Sequence, residues 1–318
     1  MTLQTEIKIQ SLEQTIRYGE GLLFWGSCFA DEVGGICKGL GFNAIVNPFG
    51  VLYNPSSIAM SLKRLSTGKP FTQEDVVEVG EGYYCTFSHN TAFWRPSRKE
   101  LLDTVNQALE KAHEHYKKTK WIVISLGTSW VFRSKTKGDV VANCHKLPAN
   151  QFERQFFSIE QSVQCLSEMV EQHPEKQFVF TVSPLRHLKD GLHGNQLSKA
   201  ALLMAVDEVC KTFVNAHYFP AYEILLDELR DYRFYKEDMV HPTEQAVHHV
   251  WERFADFAIN AKAKPIMKKA LELKQMLCHK ALFPESEAYR RFESQKEQKT
   301  MELQRLCPTL RMDYLSEP

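Results

Sequence analysis

The chain has 318 residues, 43% hydrophobic and 25% charged, with 39 Lys and Arg against 39 Asp and Glu. That size supports one large or two ordinary globular domains with a substantial core. A formal charge of zero argues against a general nucleic-acid binder and against a polybasic membrane-surface protein. The first 15 residues are polar, and no apolar run approaches the ~18 residues of a membrane-spanning helix, so a cytoplasmic location with no membrane partner is expected. Eight cysteines without a single C-x-x-C pair fit a reducing compartment and give no zinc or thioredoxin-like motif. No metal or cofactor is expected.

Five short apolar runs, rich in β-branched and aromatic residues, read as buried strands at 22–26, 43–46, 121–126, 178–182 and 214–219. Helical patterns lie around and between them at 30–40, 56–65, 97–116, 158–172, 196–213 and 243–259. Ser97 with Glu100 three residues on is a capping-box signature. Strands alternating with helices predict an α/β protein, a mostly parallel sheet covered on both faces.

Two regions break the alternation. Residues 80–96 are aromatic and turn-rich, and read as an inserted β-hairpin with His89 and Asn90 near its turn, overhanging the cleft. After Asn260, Ile266, Ala270, Leu273 and Leu277 recur at helical spacing, Pro284 interrupts, and 285–305 is highly charged. The expected division is a domain over 1–262 and a C-terminal helical extension over 263–318. That extension is either a solvated surface arm or a contact for a partner or a homo-oligomer.

In an open α/β sheet, ligands sit at the carboxyl ends of the strands. Ser27 follows the first strand at a helix start, where the dipole and free N–H groups stabilise an oxyanion. The same position suits a helix cap, and the adjacent Cys28 is a rival nucleophile. Asp238 and His241 stand three residues apart before a helix. That spacing can hold a carboxylate against one imidazole nitrogen, as a Ser–His–Asp system needs, or it can simply cap the helix. No G-x-G-x-x-G or G-x-x-x-x-G-K-[ST] motif is present, and no zinc-protease motif is completed.

Gly26-Ser27-Cys28-Phe29-Ala30 reads GSCFA, and NPFGVLYNP at 47–55, SLGTSWVF at 125–132, NCHKLP at 143–148, TVSPLRHLKDG at 181–191 and RDYRFYKEDMVHP at 230–242 follow in order. Across roughly 21–258 the chain resembles the GSCFA family, a branch of the SGNH/GDSL-like hydrolases. The resemblance implies a flavodoxin-like three-layer α/β/α fold with strand order 2-1-3-4-5. It places Ser27 as nucleophile with Asp238 and His241 as its partners. It further implies an oxyanion hole from Ser27, Gly50 and Thr128, although the Asn usual in the third block is absent and Thr128 stands there. His145, Arg186 and His187 fall in family-like blocks near the expected cleft and, with His89, are candidate substrate contacts. The expected activity is an esterase acting on a small O-acyl group of a carbohydrate or related small molecule. Alternatives are an acyltransferase with the same triad, or a non-catalytic binding protein.

Overall fold

The computed structural model describes residues 5–316. Its first half runs β1 (Gly21–Gly26), α1 (Cys28–Gly39), β2 (Ala44–Val46), α2 (Pro55–Thr67), β3 (Val76–Gly80), β4 (Tyr83–Thr86), α3 (Arg98–Lys118) and β5 (Thr119–Leu126). There follow β6 (Trp130–Ser134), β7 (Val140–Val141), β8 (Phe152–Phe156), α4 (Ile159–Glu171), β9 (Gln177–Val182), α5 (Gly191–Thr212) and β10 (Ala216–Tyr218). The last part holds the short turn α6 (Ala221–Glu223), then α7 (Glu244–Ala258), α8 (Lys264–Leu277), α9 (Glu287–Leu306) and α10 (Met312–Leu315).

The central sheet has five parallel strands in the order β10-β9-β5-β1-β2. Counting only these strands, that is the expected 2-1-3-4-5. Period-two alternation along β1 decides which layer each side chain joins. Leu23 and Trp25 pack with Ile122, Ile124, Phe178 and Phe180 beneath α2, α3, α4 and α5. Leu22 and Phe24 face the other way, with Trp121, Val123 and Val179, beneath α1 and α7. Both faces are therefore covered, which is why these strands read as continuous apolar runs.

The insertion between β2 and β5 differs from the expected hairpin. The ladder forms between β3 and β4, and its turn is Gly80-Glu81-Gly82, all three at positive φ. Residues 87–96 return as a loop that pairs with β4 through a Tyr84–Arg95 bridge and folds His89 back onto Thr86. His89 is not at a cleft-facing tip. It is fully buried among Phe49, Phe71 and Phe93, with Nδ1 on the Thr86 hydroxyl at 2.6 Å. Burial pushes its pKa down to about 3, so the ring is neutral packing. A further antiparallel sheet, β7-β6-β8, was not expected from the sequence.

In the C-terminal segment, Ala270 and Leu273 of α8 meet Leu303, Cys307, Leu310 and Leu315, with Tyr18 packed against them. α9 buries only Leu303 along its length, as its charged composition requires. Among the described residues no helix is long and apolar enough to cross a membrane.

Candidate active site at the carboxyl edge of the sheet

Ser27 caps α1. Its Oγ accepts the Phe29 N–H at 3.2 Å and its carbonyl accepts the Ala30 N–H at 2.8 Å. Cys28 is the first residue of the helix, where N–H groups lack an intrahelical partner. Ser27 Oγ also pairs with Ser125 Oγ at 2.9 Å, and the Ser27 N–H donates to the Ser125 carbonyl at 2.9 Å. The serine is 2% exposed.

The backbone before it is held by Asn47, a residue at φ 41°. Asn47 Oδ1 accepts the Gly26 N–H at 2.8 Å, and its Nδ2 donates to Asp31 on α1 at 2.6 Å. Burial is the main cause that raises the Asp31 pKa. Tyr53 ties in the next strand end, because its carbonyl accepts the N–H groups of Gly127 and Thr128 at 2.7 and 3.0 Å. Its hydroxyl lies 3.6 Å from Cys28 Sγ.

Asp238 and His241 form a pair. His241 Nδ1 lies 2.6 Å from Asp238 Oδ2, while Asp238 Oδ1 accepts the N–H groups of Val240 and His241, each at 2.9 Å. Those hydrogen bonds, the His241 N–H first, lower the Asp238 pKa to about 2. The carboxylate is thus ionised at any working pH. Both side chains are about half exposed. α7 ends at the amino edge of the sheet, where Ile259 bridges Ile16 and the Asn260 N–H donates to the Ile16 carbonyl. Its other end, and the turn carrying His241 just before it, therefore lie toward the carboxyl edge that Ser27 occupies. Among the described residues no hydrogen bond joins His241 to Ser27.

The expected oxyanion donors need correction. The Ser27 N–H goes to Ser125, the Gly50 N–H closes a turn onto the Asn47 carbonyl at 2.8 Å, and the Thr128 N–H goes to Tyr53. The Thr128 hydroxyl is shared with Ser198 Oγ and the Trp130 N–H. These groups stitch the strand-end loops together and are not free. His145 is corrected too. It is 1% exposed, its Nδ1 accepts the Trp94 Nε1–H at 2.8 Å, and its Nε2 lies 2.9 Å from the Thr86 carbonyl. Both nitrogens are used in holding the loop. His187 stands edge-on to Tyr53, with ring centroids 6.0 Å apart, and burial lowers its pKa. Arg186 is half-buried over Tyr235.

Three residues missed by the sequence reading shape this edge: Ser125, Asn47 and Lys199. Lys199 lies on α5 and is 1% exposed. Its Nζ donates to the Gly127 and Ser183 carbonyls, both at 2.7 Å, so it ties the ends of β5 and β9 together. A neutral amine has two N–H groups for these two acceptors, whereas an ammonium would bury a third donor. Desolvation accordingly brings its pKa down from 10.5 to about 7. The signal was available: Lys199 falls on the stripe of Leu202, Val206 and Val209, the buried face of the helix.

A stability prediction follows from Lys199. Between about pH 7 and 10.5 the unfolded chain holds a proton on this lysine that the folded chain lacks. Its contribution to stability therefore rises with pH across that window, by on the order of a few kcal/mol, and its burial cost is fully present below it. Urea unfolding of wild type and Lys199→Met at stepped pH isolates the effect from other groups. The stability difference, wild type minus variant, is expected to grow from pH 7 to 10; a constant difference would contradict it.

The architecture and this edge define a doubly wound α/β protein whose polar side chains gather where such sheets take their ligands. A model of the GSCFA family matches residues 21–254, most of the chain, and the protein belongs to that family. A search of curated proteins found no match.

Proposed function

We propose that the protein is a serine hydrolase of the SGNH/GDSL-like kind, acting on a small O-acyl ester of a carbohydrate or related metabolite. The observation that carries this reading is the preformed Asp238–His241 pair toward the strand edge at which Ser27 caps α1. Asp238 fixes the His241 tautomer and leaves Nε2 as the base. The exposed turn bearing His241 closes toward Ser27 when substrate is bound, and Nε2 takes the Ser27 proton as Oγ attacks the ester carbonyl. The oxyanion meets the Cys28 N–H at the positive end of α1, in place of the three donors engaged elsewhere. His241 then protonates the departing alkoxide, and water releases the acyl group from Ser27 by the same steps. An alcohol in place of that water would make the enzyme an acyltransferase.

A binding protein on the same scaffold is the second reading. The burial of Ser27 and the engagement of all three expected oxyanion donors favour it. Hydrolysis of p-nitrophenyl acetate and of an O-acetylated sugar separates the two. Wild type is expected to release acetate above background, Ser27→Ala to fall to background, and Cys28→Ala, which keeps the backbone N–H, to retain substantial activity. An active Ser27→Ala would overturn the proposal, and so would an inactive wild type.

A further inference from the structure

Beside the Asp238–His241 turn lies a cleft of about 360 Å³, lined by Arg186, Leu225, Leu226, Arg230, Asp231, Tyr232 and Tyr235. Arg186 follows β9, on the carboxyl edge of the sheet. Its guanidinium carbon lies 4.6 Å from the Tyr235 ring centroid and 6.0 Å from that of Tyr232, and Nη2 is 3.4 Å from the Tyr235 hydroxyl. The guanidinium thus lies over two aromatic rings at the cleft. Among the described residues neither Arg186 nor Arg230 has a carboxylate within salt-bridge distance. The Asp231 carboxylate is satisfied by its own neighbour, through the Arg233 N–H at 2.9 Å and Arg233 Nη2 at 2.7 Å. The cleft is tied to the dyad directly: Tyr235 bridges Pro242, and the Lys236 N–H donates to the His241 carbonyl at 2.8 Å.

A guanidinium without a carboxylate partner on an aromatic floor, with leucines beside it, suits an organic anion better than a neutral sugar. We infer that this cleft is an anion subsite, in which Arg186, aided by Arg230, holds a carboxylate or phosphate group of the substrate while Tyr232, Leu225 and Leu226 cover its organic body. The inference rests on the hydrolase reading for its role in catalysis, since it names the class of ester that would be presented to Ser27: one carrying an acidic group. Binding itself does not require turnover.

Ligand-observed NMR titration tests it on the full chain and on Ser27→Ala, with inorganic phosphate, benzoate and the neutral isostere benzamide as probes. Benzoate or phosphate is expected to bind equally to both proteins, and benzamide at least tenfold more weakly. Preference for benzoate assigns a carboxylate, and preference for phosphate a phosphoryl group. Arg186→Ala should weaken the anion at least tenfold and Arg186→Lys partly restore it. The exposed Arg230→Ala, expected to fold normally, should weaken it severalfold and serves if Arg186→Ala does not fold. Anion affinity unchanged in these variants, or benzamide binding as well as benzoate, would overturn the subsite. Anion binding that depends on Arg186 in a protein without esterase activity would sustain the subsite and sink only the hydrolase reading. Hydrolysis of neutral esters without anion binding would do the reverse.

Discussion

Asp238→Asn is expected to leave the fold intact and lower kcat by about 10³–10⁴. The carboxylate is held by the N–H groups of Val240 and His241 and receives His241 Nδ1 at 2.6 Å. An amide there loses the charge that stabilises an imidazolium and offers an N–H that favours the wrong tautomer. Both side chains are about half exposed, so their loss costs little stability. His241→Ala should cost a similar factor and the double mutant little more, because groups acting as a unit are not additive. Asp238, with its pKa lowered to about 2, stays ionised throughout the accessible range. Full activity of Asp238→Asn in steady-state kinetics would reduce the pair to a helix cap.

The second large effect is on folding. Gly26 ends β1 just before Ser27 at φ +132°, and a Cβ there would lie 2.1 Å from the Ser125 carbonyl oxygen. That oxygen belongs to the neighbouring strand and cannot move without breaking the Gly26–Ser125 register. Backbone strain and the clash together are expected to cost Gly26→Ala about 3–5 kcal/mol, or to prevent folding. Gly35, in the same region of sequence but on the exposed face of α1, would meet nothing within 4 Å if a methyl group were added. Gly35→Ala should instead gain about 0.5–1 kcal/mol. Urea unfolding of the two variants compares them directly, and a Gly26→Ala protein as stable as wild type would refute the packing described for this turn.

How much of this was legible follows from the kind of signal each element leaves. The three central strands β1, β5 and β9 are buried along most of their length and print long apolar runs, the edge strands β2 and β10 print shorter ones, and the helices print their stripes. The β6–β8 sheet prints neither: Phe152–Phe156 is mostly polar, with only Phe152 buried. Its pairing is set by β6 across a long connection. The turn of the insertion is easily misplaced because Asn90 and His89 look like turn residues, while Gly80-Glu81-Gly82 alone supplies three consecutive residues at positive φ. Histidines were the least legible of all. His89, His145 and His187 share a residue type and similar contexts in sequence, yet two are closed into the protein and only His187 stays near the strand-end cleft. The D-x-x-H spacing was legible because its geometry is local, three residues in one turn. The oxyanion donors were not, since whether an N–H is free depends on carbonyls as far away as Ser125 and Tyr53.

Reaction with a fluorophosphonate probe, followed by peptide mapping, tests the central claim most directly. Only a serine activated by a base attacks phosphorus rapidly, and the mapping distinguishes Ser27 from its neighbour Cys28. The account predicts one adduct, on Ser27, formed quickly in wild type and at least a hundredfold more slowly in His241→Ala. No adduct, an adduct on Cys28, or labelling of Ser27 at the same rate without His241 would contradict it.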